Sequence, residues 1–96
     1  MPVSASAEGP EVTIRVTGRF DFSTHQEFRQ VHQDHKGEGK RFVVDMRGAD
    51  YMDSSALGML LMLREDSPEA VRITNCRDEL RNILSIANFD KIFAIE

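Results

Sequence analysis

Two serines directly behind an aspartate, Asp53-Ser54-Ser55, are the residues whose types and spacing most plainly point to chemistry. On one side, Phe42-Val43-Val44 reads as a buried strand; on the other, Met59 to Leu63 reads as a buried helix. A strand-to-helix junction exposes its polar residues beside the unpaired N–H groups of the new helix. A serine there is a helix cap, worth about 1 kcal/mol, or a site where charge is added. The two roles are compatible, since a capping hydroxyl is exposed. A phosphate on Ser54 would meet free N–H groups and a favourable dipole, so the fold should tolerate it. It would add about −1.5 to −2 charges beside Asp53, with Asp45 and Asp21 as further negative neighbours. Ser55 is the rival acceptor, one step into the helix, where it can bond back to the backbone or face inward. Asp53 is a helix-start charge favoured by the dipole, or a group that positions the serine, binds a partner or assists phosphotransfer.

Other reactive side chains carry less. His25, His32 and His35 lie at helical spacing, but a metal would want another His, Cys or Asp on the same face, and Asp34 is not on it. They read as a polar helix face. A serine hydrolase would want a Gly-x-Ser-x-Gly elbow; these serines follow Asp and precede Ala56. Cys76, beside Arg77 at a helix start, has a setting that can lower a thiol pKa, yet a half-buried structural cysteine is the better reading. Met46, Met52, Met59 and Met62 read as core filler. Met52 and Met59, if partly exposed around the serine, would make an adaptable docking surface. No Gly-rich phosphate loop is present, and no catalytic, cofactor-binding or metal-binding residue is expected.

Composition narrows the class. The chain has 96 residues, 41% hydrophobic and 29% charged, which suits one ordinary globular domain. The net charge is −4, and there is no basic stripe, no Trp and a single Tyr, so direct nucleic-acid binding is not expected. One cysteine allows no internal disulfide and fits a reducing cytoplasm. The longest apolar run, Ala56 to Leu63, is far short of the ~20 residues that cross a bilayer. MPVSASAEGP lacks the basic start and apolar stretch of a signal peptide.

The elements that position these residues follow from periodicity. Residues 1–10 read as a tail in which Val3 to Ala7 can add a weak edge strand. Val12, Ile14 and Val16 alternate with polar residues, a half-buried strand ended by Gly18. Ser23 and Gln26 form a capping box for a surface helix with Phe28, Val31 and His35 on its thin apolar face. Phe42 to Val44 has the pattern of a central strand covered on both faces, and 47–50 reads as a loop. A helix from about Ser54 to Glu65 is apolar nearly all round and so buried on most sides; Ser67-Pro68 stops it. Val71 and Ile73 make a short strand. Asn75 caps a third helix carrying Leu80, Ile83, Leu84 and Ala87, Asn88 gives it a left-handed stop, and 92–95 is a last strand. Strand and helix alternate, which argues an α/β layer with a mostly parallel sheet.

The run FVVDMRGADYMDSSALGMLLML resembles the signature of bacterial anti-sigma factor antagonists of the STAS-domain family. That signature has an apolar strand ending in Asp, a short loop, then a Met-Asp-Ser-Ser-Gly-Leu-Gly-like stretch opening a helix. Ala56 stands where the family usually has Gly, a change that firms up a helix start by roughly 1 kcal/mol. A second family feature, a Gly-x-x-Asp turn, is matched by Gly18-Arg19-Phe20-Asp21. The similarity covers roughly residues 11–95. It implies a STAS fold over 11–96, a small mixed, mostly parallel sheet of four to five strands with helices packed against it. It also implies a stand-alone cytoplasmic binding switch, not an enzyme, monomeric when free. Unphosphorylated, such a protein binds an anti-sigma factor or equivalent regulator. A serine kinase with an ATP-binding fold, often that regulator, phosphorylates Ser54, and a PP2C-type phosphatase restores it. A STAS subunit docked constitutively on a transporter or signalling complex is the alternative. The expected docking surface comprises Phe20, Asp21, Tyr51, Met52, Asp53, Ser55 and Leu57, with Phe22 as a further apolar anchor. Sequence leaves the regulator and the pathway open.

Overall fold

The computed structural model describes residues 2–67 and 71–96. Five strands form one sheet in the order β1 (Val3–Glu8), β2 (Glu11–Phe20), β3 (Arg41–Met52), β4 (Arg72–Thr74) and β5 (Ala94–Ile95). Strand β1 is antiparallel to β2, and every later pairing is parallel. Between the parallel strands run α1 (His25–His35), α2 (Ser54–Glu65) and α3 (Asp78–Ile86). Val3, with 1% of its surface exposed, belongs to the core, so the start of the chain is an edge strand and not a tail.

Because β2 to β5 follow one another in order, right-handed crossovers carry all three helices over the same face. The burial pattern agrees. Val12, Ile14 and Val16 are fully buried while Arg15 and Thr17 between and after them are exposed. Phe42, Val44 and Ile73 continue the buried face across the register. The other face is polar and open, tied by Arg15 to Ser6 (2.9 Å), Asn75 to Asp45 (3.0 Å) and Arg72 to Glu96 (2.7 and 2.9 Å). The expectation of a central strand covered by helices on both faces is therefore corrected. Val43 is buried on the open face, between its register partners Thr13 and Arg72.

Strand β3 is longer than periodicity suggested. The stretch 47–50, expected as a loop, stays paired with β2 through Thr17 with Gly48 and Gly18 with Ala49, then Arg19 with Tyr51 and Phe20 with Met52. Burial of Met46, Ala49 and Met52 holds it there. The ladder absorbs two irregularities, one of them at Gly18, whose φ of +75° favours glycine. Gly18-Arg19-Phe20 is thus the end of a strand, with Asp21 just past it.

The helix ends also differ from the sequence pattern. Ser23 and Gln26 do not form a capping box; a 3-10 turn over Phe22–Thr24 precedes α1, and Asp21 caps that turn. Helix α1 buries Phe28 and His32, leaving Val31 and His35 half-buried. Helix α2 buries Ala56, Met59, Leu60 and Leu63 but exposes Leu61 and Met62, because it has neighbours on one side only. It ends with Asp66 as C-cap; the expected stop at Pro68 lies outside the described residues. Arg77, not Asn75, precedes α3, and Asn75 takes φ +60° while its amide bonds Asp45. Asn88 ends α3 in the left-handed region as expected. A 3-10 turn, Phe89–Lys91, shortens the last strand to two residues. No helix among the described residues is long and apolar enough to cross a membrane.

Candidate functional site

Parallel β2 and β3 end level with each other, since Phe20 pairs with Met52. Both strands are followed at once by an aspartate with extended backbone, and each aspartate caps what comes next. Asp53 is the N-cap of α2, its Oδ1 accepting from the N–H of Ser55 (3.0 Å) and of Ala56 (3.3 Å). Asp21 accepts from the Ser23 N–H (2.9 Å) and the Ser23 hydroxyl (2.5 Å). The Ser23 hydroxyl, ahead of the Arg19 guanidinium and the Ser23 N–H, holds the Asp21 carboxyl below its usual pKa.

This arrangement reassigns the cap. Ser54 is the first residue inside α2, not the residue before it. Asp53 satisfies the orphan N–H groups a capping serine would serve. Ser54 is exposed, and among the described residues none hydrogen-bonds its hydroxyl. Ser55 is half-buried one position on.

Beside the two caps lies a cation. Arg19 Nε is 3.0 Å from Asp21 Oδ2, and the guanidinium carbon stands 3.8 Å over the centre of the Tyr51 ring. Sequence reasoning named Arg19 only as a filler of the Gly-x-x-Asp motif. Its signal was position: two residues before Asp21, with side chains alternating across the strand, it must share the Asp21 face.

The expected docking residues divide by burial. Phe20 is fully buried and stacks on Phe28 at 5.4 Å between ring centres, and Met52 is 4% exposed. Neither can anchor a partner, because in strands facing the helix layer their alternate positions point inward. Met59 is buried likewise. Phe22 is 73% exposed and stacks on His25, and Tyr51 is 36% exposed; these are the apolar groups a partner could touch. Asp21, Asp53, Ser55 and Leu57 are half-buried around the same end. Asp45 is elsewhere. It pairs mid-sheet with Arg15 and Thr74, seven residues before Met52 along β3. Burial opposes its ionisation, but the Arg47 N–H and the Asn75 amide outweigh that and hold its pKa low. The histidines disperse: His25 to Phe22, His32 to Asp66, His35 to the Val31 carbonyl. Burial pushes the half-buried Cys76 thiol up, opposing activation.

A family model described as Mlab, STAS domain, matches residues 3–95. The chain belongs to the STAS-domain family. This STAS domain is 47% identical, over 94% of its length and 92% of the relative's, to a STAS-domain containing protein of Pseudomonas aeruginosa (strain UCBPP-PA14). Among solved structures it is similar to a putative anti-sigma factor antagonist of Thermotoga maritima, at TM-score 0.84 and 17% identity, covering 97% of this chain and 84% of that one. An anti-sigma factor antagonist of Mycobacterium paratuberculosis aligns at TM-score 0.84 and 16% identity, over 97% and 82%. SpoIIAA, an anti-sigma factor antagonist in its unphosphorylated form, aligns at 0.71 and 16%, over 88% and 82%. The five-stranded, mostly parallel sheet with three helices is the STAS fold expected from the serine-centred signature.

Proposed function

We propose that the protein is an anti-sigma factor antagonist, a binding switch that docks on an anti-sigma factor or equivalent regulator when Ser54 carries no phosphate. The observation that carries this is the exposed, uncommitted Ser54 hydroxyl at the start of α2, with Asp53 doing the capping. The three solved neighbours named above are two anti-sigma factor antagonists and one putative one, at low identity, which supports the reading through the fold. In the phosphorylation step, Ser54 Oγ attacks the γ-phosphorus of ATP held by a partner kinase, the bond to ADP breaks, and the hydroxyl proton passes to a base of the kinase. A PP2C-type phosphatase returns the serine by hydrolysis. The phosphate forms in the first turn of α2, at the positive end of the helix dipole, so the fold accepts it, while a partner over the serine meets new bulk and negative charge.

The test is phosphosite mapping on protein purified from its own cells, paired with Ser54→Ala. Phosphate on Ser54 is expected, together with loss of phosphate and retained regulator binding in the variant. Phosphate mapped to Ser55 or to the N-terminal serines, or binding lost in Ser54→Ala, overturns the reading.

A further inference from the structure

We propose that Arg19 is the chain's own reader of phosphate at Ser54: on phosphorylation its guanidinium leaves Asp21 and Tyr51 for the phosphate, and the docking surface is rebuilt. The inference rests on the reading of Ser54 as phosphoacceptor and adds a moving part to it. The register supplies the geometry. Arg19 is opposite Tyr51 and Phe20 opposite Met52, which brings Asp21 level with Asp53, and Ser54 is the next residue. The guanidinium already leans toward the strand ends, since its Nε reaches Asp21, two residues ahead. Tyr51 and Ser54 are about 10 Å of chain apart even at full extension. That is within the swing of a long side chain turned that way, and the Arg19 side chain is 62% exposed.

Competition decides where the guanidinium rests. With Ser54 bare, Arg19 has one half-buried carboxylate and one aromatic face, and its own side chain stays 62% exposed, so water weakens both contacts. A phosphate offers three strong acceptor oxygens, nearly two charges and a bidentate fit to guanidinium. Asp21 does not strand when Arg19 leaves, because Ser23 supplies two hydrogen bonds of its own. The exchange uncovers Tyr51 and frees the Asp21 edge. Modification therefore changes the shape of the surface as well as its charge. A carboxylate at position 54 brings one charge, no more than Asp21 already offers, so Ser54→Asp leaves Arg19 in place.

Tyr51 is the only tyrosine and the chain has no tryptophan, so intrinsic fluorescence reports the ring beneath Arg19. Phosphoserine is installed at position 54 during translation, which makes the experiment independent of any kinase. Tyrosine fluorescence is expected to change on phosphorylation in the otherwise wild-type chain, and to stay unchanged in Ser54→Asp and in phosphorylated Arg19→Gln. Phosphorus NMR titration gives a second reading: the phosphate should bind its second proton about threefold more weakly with Arg19 than with Arg19→Gln, half a pH unit. Equal titrations, or fluorescence that responds identically with and without Arg19, overturn the proposal. Absence of phosphate on Ser54 in native cells would instead count against the functional reading and leave this result standing.

Discussion

At the scale of single residues, one carboxylate decides what the serine is free to do. From sequence, Ser54 and its cap role were inseparable, since serine and aspartate are both good caps and sit side by side. Backbone geometry separates them: Asp53 is extended and takes two N–H groups, and Ser54 is already helical. Asp53→Ala should therefore cost about 1 kcal/mol of stability, whereas Ser54→Ala should leave stability close to that of wild type; denaturant unfolding of both checks this. Ser54→Asp should also fold normally, because acidic residues are welcome in a first turn. It should still weaken regulator binding by about tenfold, or ~1.4 kcal/mol, through repulsion alone. An Asp variant melting far below wild type would mean that charge at this position damages the fold, and the interface explanation would fall.

At the scale of elements, the fold follows periodicity where periodicity is strong and departs from it where tertiary contacts override it. Val12 to Val16 alternates cleanly, and β2 is there. Arg47 to Asp50 carries Gly and charge, a loop by composition, yet the parallel ladder to β2 keeps it extended. Helix α1 buries Phe28 and half-buries Val31 on the expected face, but that face also takes in His32, which looks polar in sequence. It is buried against Phe42, edge to face at 5.7 Å, with Nε2 3.1 Å from Asp66 at the end of α2. Burial lowers the His32 pKa first and Lys36 adds to that, while Asp66 pulls it up; the net shift is downward. The neutral form is thus the one the folded chain favours. The unfolded chain binds the proton more readily, so stability present above about pH 6.5 is lost as pH falls below it. The melting midpoint should drop between pH 7.5 and 5.5, and His32→Gln should flatten that part of the profile. An unchanged slope in the variant would place the acid sensitivity elsewhere.

At the scale of the whole molecule, one sheet with all its helices on one face has two unlike ends. Ligands gather at the carboxyl ends of parallel strands, and that is where Asp21, Tyr51, Asp53 and Ser54 stand together. The Ser54 end was legible in sequence because a family signature marks it; the identity of its apolar groups was not, since Phe20 and Phe22 would share one face of a continuous strand, and only the structure shows that β2 ends at Phe20 and that Phe22 opens a 3-10 turn. Burial splits them, Phe20 inside and Phe22 outside. Charge reversal of Asp21 or Asp53 would remove a cap along with a charge, so the clean test uses the exposed rings. Phe22→Ala and Tyr51→Ala should each weaken regulator binding about tenfold or more, as buried aromatic anchors do, with little change in stability. The matched control is Ile86, 81% exposed at the last residue of α3. Helices run back against the strands they connect, so Ile86 sits at the opposite end of the sheet. Ile86→Ala should leave calorimetric affinity unchanged. Affinity lost at Ile86 and kept at both Phe22 and Tyr51 would move the docking surface to the other end of the molecule.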